Sequence, residues 1–307
     1  MEARETDLRG LRIGLVGGSG FLGSALTPSL SNAGAECTII DPKEPTTKFE
    51  GKWHRPPNSE EGWRKIISGI NVCLYLQSSS IPQSSYNQPI LELELNERPL
   101  LNLLPILLEN QVQLVYFSSG GAIYGEIKQG QAKENHPLSP KSPYGVGKQI
   151  SEAWIRWYQN QGLKALIVRP STIYGIGQGL RSGQGVIYAM LKSAYLDLEF
   201  ELQGGGQPIK DFLYREDLVD FVHIALRQRA TGTFNVGSGI ARSLIAVLHA
   251  VEETTGKKIR CKEVEAHPSD VQRMCLDASK AAGLGWGPTT SLEKGIRSIW
   301  EELENNK

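Results

Sequence analysis

Tyr144 and Lys148 form the most informative pair of side chains in this 307-residue sequence. If the segment around them is helical, residues four apart lie one above the other on a single face. An ammonium group beside a phenol favours the phenolate and lowers a pKa that is about 10 in an unperturbed tyrosine. Such a tyrosine can take a proton from a substrate hydroxyl. The pair therefore predicts acid–base chemistry, although the same spacing is also common on exposed helix faces.

A glycine-rich segment, residues 17–23, directly follows a short apolar run. The spacing Gly-x-x-Gly-x-x-Gly between a strand and a helix is typical of a loop that binds the pyrophosphate of a dinucleotide. Gly17 and Gly20 would allow a tight turn and close approach of the backbone to the phosphates. Gly23 would let the helix pack on the sheet, with its amino terminus facing the phosphates. Together with a proton-exchanging phenol, this loop indicates hydride transfer with a nicotinamide cofactor.

Asp41 ends the second apolar run and stands 21 residues after Gly20. A carboxylate about 20 residues beyond the glycine turn is the expected partner of the adenosine ribose hydroxyls. It would repel a 2′-phosphate, so we predict NAD rather than NADP as the cofactor. Lys43 nearby weakens that preference, and the alternative for Asp41 is a solvated turn residue before Pro42.

The composition argues against several other classes of function. Lysine plus arginine equals aspartate plus glutamate, at 33 each, so nucleic acids and membrane surfaces are poor candidates for partners. The charged start of the chain does not resemble a signal peptide, and no run reaches the ~20 apolar residues of a membrane helix. The four cysteines and five histidines are scattered, which predicts no metal site and a reducing, cytoplasmic location.

Short apolar runs alternate with longer helical patterns, which predicts an α/β fold, a Rossmann-type doubly wound parallel sheet with a smaller carboxy-terminal substrate-binding lobe. The expected strands are residues 12–16, 36–40, 72–76, 113–117, 165–168 and 233–236, and the expected helices lie near 22–32, 60–68, 90–109 and 144–161. Residues 1–175, with returning elements near 208–238, are expected to form the NAD-binding domain. Residues 176–307 would then mainly form the substrate-binding lobe. Residues 49–63 match no pattern.

Further motifs follow in one order, and with them the chain resembles the extended short-chain dehydrogenase/reductase family, particularly its NAD-dependent nucleotide-sugar epimerases. Besides residues 17–23 and Asp41, the resemblance lies in residues 118–125, 142–148, 169–175, 210–212, 217–218, 234–239, 276–281, 284–286 and 292–296. It covers nearly the whole chain.

The resemblance implies a nucleotide-sugar 4-epimerase, which oxidises a sugar carbon, lets the keto intermediate turn, and returns the hydride to its other face. Tyr144 would be the base, while Lys148 would lower its pKa and bind the nicotinamide ribose. Two alternatives stay open. One is a dehydrogenase or ketoreductase acting on a nucleotide-linked sugar, and the other is a non-catalytic dinucleotide-binding protein that senses cofactor state or binds a partner.

The predicted site has three groups of residues. The catalytic residues are Tyr144, Lys148 and Ser119. The cofactor-binding residues are Gly17, Gly20, Phe21, Leu22, Gly23, Asp41, Ser78, Tyr144 and Lys148. The substrate-binding residues are Ser119, Thr172, Lys210 and Arg273. Lys210 stands where the family commonly has an arginine for the diphosphate, Thr172 replaces the usual asparagine, and Arg273 is either a second diphosphate ligand or a solvated surface arginine.

Gly120 stands where the family usually has a serine or threonine whose hydroxyl bonds to the sugar and the tyrosine. Alternation along a strand would put Ser118 on the same face, two steps of about 3.3 Å away. Ser119 is nearer but needs a bend, which Gly120 and Gly121 would permit. We predict that Ser119 supplies the hydroxyl. A water in the freed space, or a purely capping role for both serines, is the alternative.

Gly121 and Ala122 distinguish among the reactions of the family. Its dehydratases carry an acidic pair before the Val/Ile-Tyr-Gly sequence, and its decarboxylases carry a glutamate there. Without a carboxylate to move a second proton, elimination and decarboxylation lose their acid–base group. Epimerisation, simple oxidation and ketone reduction remain.

The helices predicted near 90–109 and 144–161 resemble the pair that meets across a dimer in this family. Trp154, Trp157 and Tyr158 give the second helix more aromatic surface than packing on its own sheet requires. We therefore predict a homodimer. The alternative is that these rings pack internally or lie singly on the surface.

Overall fold

The computed structural model describes residues 7–46, 48–179 and 185–305. The strands are β1 (Arg12–Val16), β2 (Glu36–Ile40), β3 (Gly51–His54), β4 (Val72–Tyr75), β5 (Gln113–Phe117), β6 (Ala165–Pro170), β7 (Thr172–Tyr174), β8 (Phe200–Gln203), β9 (Ile209–Tyr214), β10 (Gly232–Val236), β11 (Ala241–Ser243) and β12 (Cys261–Val264). The helices are α1 (Gly23–Asn32), α2 (Glu60–Ile67), α3 (Pro82–Ser85), α4 (Pro89–Glu92), α5 (Arg98–Glu109), α6 (Gly120–Ile123), α7 (Pro143–Asn160), α8 (Val186–Leu196), α9 (Arg215–Arg227), α10 (Leu244–Thr255), α11 (Ser279–Ala282) and α12 (Leu292–Asn305).

Seven of these strands form one parallel sheet in the order β10-β6-β5-β4-β1-β2-β3. The predicted Rossmann-type α/β fold is therefore confirmed. The chain starts at β1, adds β2 and β3 on one side, and then crosses to β4 on the other. At such a switch point the carboxyl ends of neighbouring strands open a crevice that is the usual ligand site of the fold.

Both faces of the sheet are covered by helices. Successive side chains of β5 show this directly, because Leu114 and Tyr116 belong to one apolar cluster and Val115 and Phe117 to the other. Helices α1 and α9 pack on the first face, and α2, α5 and α7 lie on the second. A third cluster joins α8, α10 and α12 to β8 and β9.

Two local predictions differ from the structure. β3 lies in the stretch for which the sequence predicted nothing, because Gly51, Lys52 and His54 are exposed at the sheet edge and leave no apolar run. The single helix predicted near 90–109 is instead α4, a π-helical turn at Leu93–Glu97, and α5. The division of the chain into lobes near residue 175 stays a prediction, although β10 does pair with β6. None of the described helices is long and apolar enough to cross a membrane.

Candidate active site

A cleft of about 1280 Å³ opens beyond the carboxyl ends of β1, β4 and β5. The predicted residues that line it are Gly17, Gly20, Phe21, Leu22, Gly23, Asp41, Ser78, Ser119, Tyr144, Lys148, Thr172 and Lys210. Side chains and turns from separate segments of the chain thus meet in one cavity. Arg273 is the predicted site residue that does not line it.

The glycine loop between β1 and α1 has a shape that side chains would destroy. Gly17 has φ +82°, and a Cβ there would lie 2.7 Å from the backbone nitrogen of Gln77 at the end of β4. A Cβ at Gly23 would lie 2.1 Å from the carbonyl oxygen of Gly18. Gly20 meets only its own loop within 4 Å, so its open side faces the cleft. The loop is therefore a bare backbone cradle at a helix amino terminus, which fits a pyrophosphate.

Asp41 is fixed at the end of β2. Its two carboxylate oxygens accept hydrogen bonds from the backbone nitrogens of Ser19 (3.1 Å) and Lys43 (2.9 Å). Its carbonyl oxygen accepts one from Trp53 Nε1 of β3, at 3.1 Å. The carboxylate is thus held between the glycine loop and the edge strand, at the wall of the cleft where a ribose bound to this fold would lie.

Tyr144 is positioned by the start of α7. Ser142 caps the helix by accepting a hydrogen bond from Gly145 N at 3.2 Å, and Pro143 occupies the first helical position, where a missing N–H costs nothing. The Tyr144 backbone nitrogen donates to Ser85 Oγ at 3.0 Å. Ser85 was not predicted, because neither its spacing nor its type distinguishes it in the sequence.

Lys148 lies next to Tyr144, but the pKa of Tyr144 is not lowered as the pair predicts. Burial raises the pKa of Tyr144 to about 12, and hydrogen bonding from Ser119 and Ser78 only partly opposes this. The Lys148 ammonium donates to the carbonyl oxygen of Phe117 at 3.0 Å and lies 5.6 Å from the centre of the Tyr144 ring. Burial also lowers the pKa of Lys148 itself. The pKa of Tyr144 is therefore raised and not lowered as predicted, because desolvation outweighs the hydrogen bonds that favour the phenolate.

The structure distinguishes the two candidate serines. Ser118 Oγ donates to the buried Glu152 carboxylate at 2.7 Å. Ser119 faces the cleft at the start of α6, where it interacts with the Tyr144 hydroxyl. A Cβ at Gly120 would lie 2.6 Å from Leu276 Cδ1 and 3.0 Å from the carbonyl oxygen of Pro170, so a side chain there would point into packed structure. The Ser119 hydroxyl therefore lies where it can replace the one that is missing at Gly120.

The predicted substrate ligands divide into two groups. Thr172, at the start of β7, and Lys210, on β9, line the cleft. The Lys210 ammonium donates to the carbonyl oxygen of Val271 at 2.5 Å, and burial lowers its pKa. Arg273 turns elsewhere and donates to the carbonyl oxygens of residues 127 and 130 at 3.1 and 3.0 Å. Its position supports a structural role in the loop it braces.

The segment that matched no sequence pattern also contributes to the site. Pro56, Pro57, Asn58, Ser59 and Trp63 line the far end of the cleft, between β3 and α2. The signal that could have found them is positional, since residues after a sheet strand at its carboxyl end belong to the ligand-binding edge.

A backbone cradle, a fixed carboxylate and a Tyr–Lys pair at the switch point of a parallel sheet define a dinucleotide-dependent enzyme of the extended short-chain dehydrogenase/reductase type. Residues 13–237 match the model of the NAD dependent epimerase/dehydratase family, and the chain belongs to that family. The predicted cofactor, NAD, is thereby confirmed, and the glycine cradle and Asp41 fit it.

Individual relatives are similar to this chain over almost its full length. A putative UDP-glucose 4-epimerase of Methanocaldococcus jannaschii is 27% identical over 303 residues, which cover 95% of this chain and 98% of that protein. The crystal structure of UDP-glucose 4-epimerase from Thermus thermophilus in complex with NAD superposes with a TM-score of 0.90 and 28% identity, covering 97% of this chain and 100% of that one. The crystal structure of a UDP-glucose 4-epimerase from Thermotoga maritima with UDP-glucose superposes with a TM-score of 0.89 and 26% identity. The match covers 96% of this chain and 99% of that one.

Proposed function

We propose that this protein is an NAD-dependent 4-epimerase of UDP-linked hexoses. The observation that carries the proposal is the meeting of Tyr144, Lys148 and Ser119 with the glycine cradle in one cleft. The full-length similarity to proteins described as UDP-glucose 4-epimerases supports the same reaction.

The cleft also favours epimerisation over the other reactions of the family. A Cβ at Gly121 would lie 3.8 Å from Ser119 Oγ and 4.0 Å from Thr172 Oγ1, so a side chain at this position would reach the reacting end of the cleft. Glycine here and Ala122 beside it leave the site without a second proton-transfer group at that position. Elimination and decarboxylation need such a group, whereas moving a hydride between the two faces of one carbon does not.

In this mechanism Tyr144 takes the proton of the sugar C4 hydroxyl and, after the keto intermediate has turned, returns it to the C4 oxygen. NAD⁺, which the glycine cradle and Asp41 would hold, would supply the hydride acceptor and donor for C4 and a positive charge beside Tyr144. Ser119 donates to the Tyr144 oxygen and so favours the phenolate during transfer. Lys148 holds its ammonium beside the tyrosine ring and would bind the nicotinamide ribose in this mechanism.

The raised pKa of Tyr144 makes its surroundings important for proton transfer. A phenol with a pKa of about 12 is almost fully protonated at neutral pH, so nearby positive charge would favour its action as a base. Lys210 is placed to interact with the diphosphate of the substrate as a point charge, while Thr172 offers a hydroxyl to the sugar.

Cofactor content and turnover test the proposal together. Purified protein should contain tightly bound NAD, interconvert the 4-epimers of a UDP-hexose and consume no added NAD(H). A panel of UDP- and dTDP-sugars in a thermal-shift assay would identify the nucleotide and sugar, because a ligand that binds only the native state raises its stability. Steady consumption of added NAD(P)H with a ketosugar would instead show a reductase, and absence of any turnover would favour a cofactor-binding protein.

A further inference from the structure

Two buried carboxylates lie against the part of α7 that carries Lys148. Glu92 and Glu97 are each only 4% exposed. Glu92 accepts hydrogen bonds from Ser80 Oγ and, at 2.8 Å, from Asn96 Nδ2, and Glu97 accepts one from Ser151 Oγ on α7. Burying carboxylates costs free energy unless charge or hydrogen bonds compensate. No residue of this cluster takes part in the proposed reaction.

The backbone has an unusual form where it presents these groups. The π-helical turn Leu93–Glu97 separates α4 from α5. In a π-turn, residues five apart come onto one face, so Glu92 and Glu97 both face inward while Leu93, Glu94 and Leu95 are exposed. A continuous α-helix would turn one of the two carboxylates away. π-Helical turns that interrupt α-helices are frequent at functional sites.

Gly147, which directly precedes Lys148, provides the room for this arrangement. A Cβ at Gly147 would lie 2.6 Å from Glu97 Oε1 and 3.2 Å from Glu92 Oε1. Any other residue at position 147 would therefore displace the Glu97 carboxylate. The glycine inside the Tyr-x-x-x-Lys segment and the glutamate on the π-turn are spatially coupled.

The carboxylates act on Lys148 through space. Among the described residues, no carboxylate forms an ion pair with the Lys148 ammonium within 4.0 Å. Burial lowers the pKa of Lys148, and the negative charges of Glu97, Glu92 and Glu152 oppose that change, with Glu97 the strongest. Burial raises the pKa of Glu97 to about 7, and the hydrogen bond from Ser151 and then the charge of Lys148 oppose that change.

Glu152 and the tyrosines that face Glu97 do not replace Glu97 as the charge that opposes the desolvation of Lys148. Glu152 is already bonded to Arg169 and Arg156. Tyr75 and Tyr116, on β4 and β5, also face Glu97, but burial raises the pKa of both phenols and keeps them neutral. Of the three carboxylates that act on Lys148, Glu97 has the strongest effect, ahead of Glu92 and Glu152.

We propose that Glu97 is a positioning residue that keeps Lys148 protonated inside the cleft, and that Gly147 is the space that permits it. The inference rests on the role given to Lys148 in the proposed function. That role requires an ammonium, because a neutral amine would bind the ribose oxygens less strongly.

Direct titration of Lys148 tests this without using activity. In protein labelled with ¹³C at lysine Cε and loaded with NAD, the Lys148 resonance is the one absent from Lys148→Met. Glu97→Gln keeps an oxygen for the Ser151 hydroxyl but removes the charge. It should lower the pKa of Lys148 by about one unit or more, the usual range for losing a nearby opposite charge. Glu94→Gln, which neutralises an exposed glutamate of the same turn, should leave it unchanged.

The pH profile of turnover gives a second readout. Because Lys148 must be charged, activity is lost as pH rises through its pKa, so this loss should occur at lower pH in Glu97→Gln and at an intermediate pH in Glu97→Asp. An unchanged Lys148 titration in folded Glu97→Gln would overturn the proposal, even if Tyr144 and Lys148 variants behave as the proposed function requires. Full activity of Lys148→Met would defeat the proposed function, while the titration would still decide the effect of Glu97.

The coupling to Gly147 covers the case in which Glu97→Gln does not fold. Gly147→Ala should displace the carboxylate and lower the pKa of Lys148 by itself. In a Glu97→Ala background, which has no carboxylate to displace, the added methyl should cause little further shift. Interaction between adjacent sites is what such a double-mutant cycle detects. A Gly147→Ala protein whose Lys148 titrates normally would contradict the proposal.

Discussion

The Lys148 ammonium nitrogen lies 5.6 Å from the centre of the Tyr144 ring and 5.0 Å from that of Tyr116. It is held there by its hydrogen bond to the Phe117 carbonyl oxygen at the end of β5. The pair thus lies in the wall of the cleft, where one turn of α7 meets the end of β5. Proton exchange by Tyr144 then depends on which charges and hydroxyls surround a buried phenol whose pKa is about 12.

Tyr144→Phe should reduce turnover about a hundredfold or more, the usual range for a lost general acid–base group, because no other phenol of the described residues lines the cleft. Bound NAD should remain, since the glycine cradle is untouched. Tyr158→Phe, on the same helix but outside the cleft, is the matched control and should retain activity. Near-normal turnover of Tyr144→Phe would show that the assigned base is wrong.

Ser119→Ala should move the pH profile of kcat toward higher pH. Hydrogen bonding from Ser119 lowers the pKa of Tyr144, so its loss raises that pKa. Because turnover needs the deprotonated phenol, the rise in activity with pH then begins later. Ser118→Ala should leave the profile in place and lower thermal stability, since Ser118 Oγ serves the buried Glu152 carboxylate. A shift in the Ser118 variant and none in the Ser119 variant would reverse the assignment.

Asp41→Ala should weaken discrimination against NADP, because it removes the carboxylate that would face a 2′-phosphate. It also frees the backbone nitrogens of Ser19 and Lys43, so NAD itself should bind more weakly. Glu44→Ala, an exposed carboxylate on the same loop, serves as the control for net charge. Cofactor dissociation constants measured by calorimetry decide the matter, and a wild-type preference for NADP would contradict the ribose contact.

Gly23→Ala should destabilise the protein by roughly 1–3 kcal/mol or more, the range for overpacking a filled site. The new Cβ would lie 2.1 Å from the Gly18 carbonyl oxygen, so the phosphate loop must move. Both the melting temperature and the NAD content of purified protein should fall. Gly287→Ala meets no atom within 4 Å and should change neither. Normal NAD content in the Gly23→Ala protein would show that the glycine loop does not bind the cofactor.

Trp157→Glu should shift the protein toward monomer in sedimentation while leaving NAD bound. Trp157 is 51% exposed and Trp154 40%, and the neighbouring π-turn exposes further apolar residues such as Leu93 and Leu95. Exposed apolar residues of this kind are expected at an interaction surface, and in a twofold dimer one substitution removes each contact twice. Ile240→Glu, 54% exposed elsewhere on the surface, is the control. A wild-type protein that sediments as a monomer at tens of micromolar would contradict the homodimer.

The sequence by itself was sufficient for the architecture and for most of the cleft. Its strands are continuous apolar runs because both faces of the sheet are buried, and glycines at 17, 20 and 23 have few uses other than a close backbone turn. These are local properties, readable from residue type and spacing. The family motifs indicated Tyr144, Lys148 and Asp41, and all three line the cleft.

Tertiary structure decided the features that depend on contacts between residues distant in the sequence. Edge strand β3 has no apolar signal, and Arg273 turns to backbone carbonyls that are distant in sequence. A side chain at residue 120 would meet packed atoms, whereas Ser119 lines the cleft. Spacing alone predicted a lowered tyrosine pKa, whereas the folded protein raises it. Burial sets that balance, and burial is a property of the whole assembled chain.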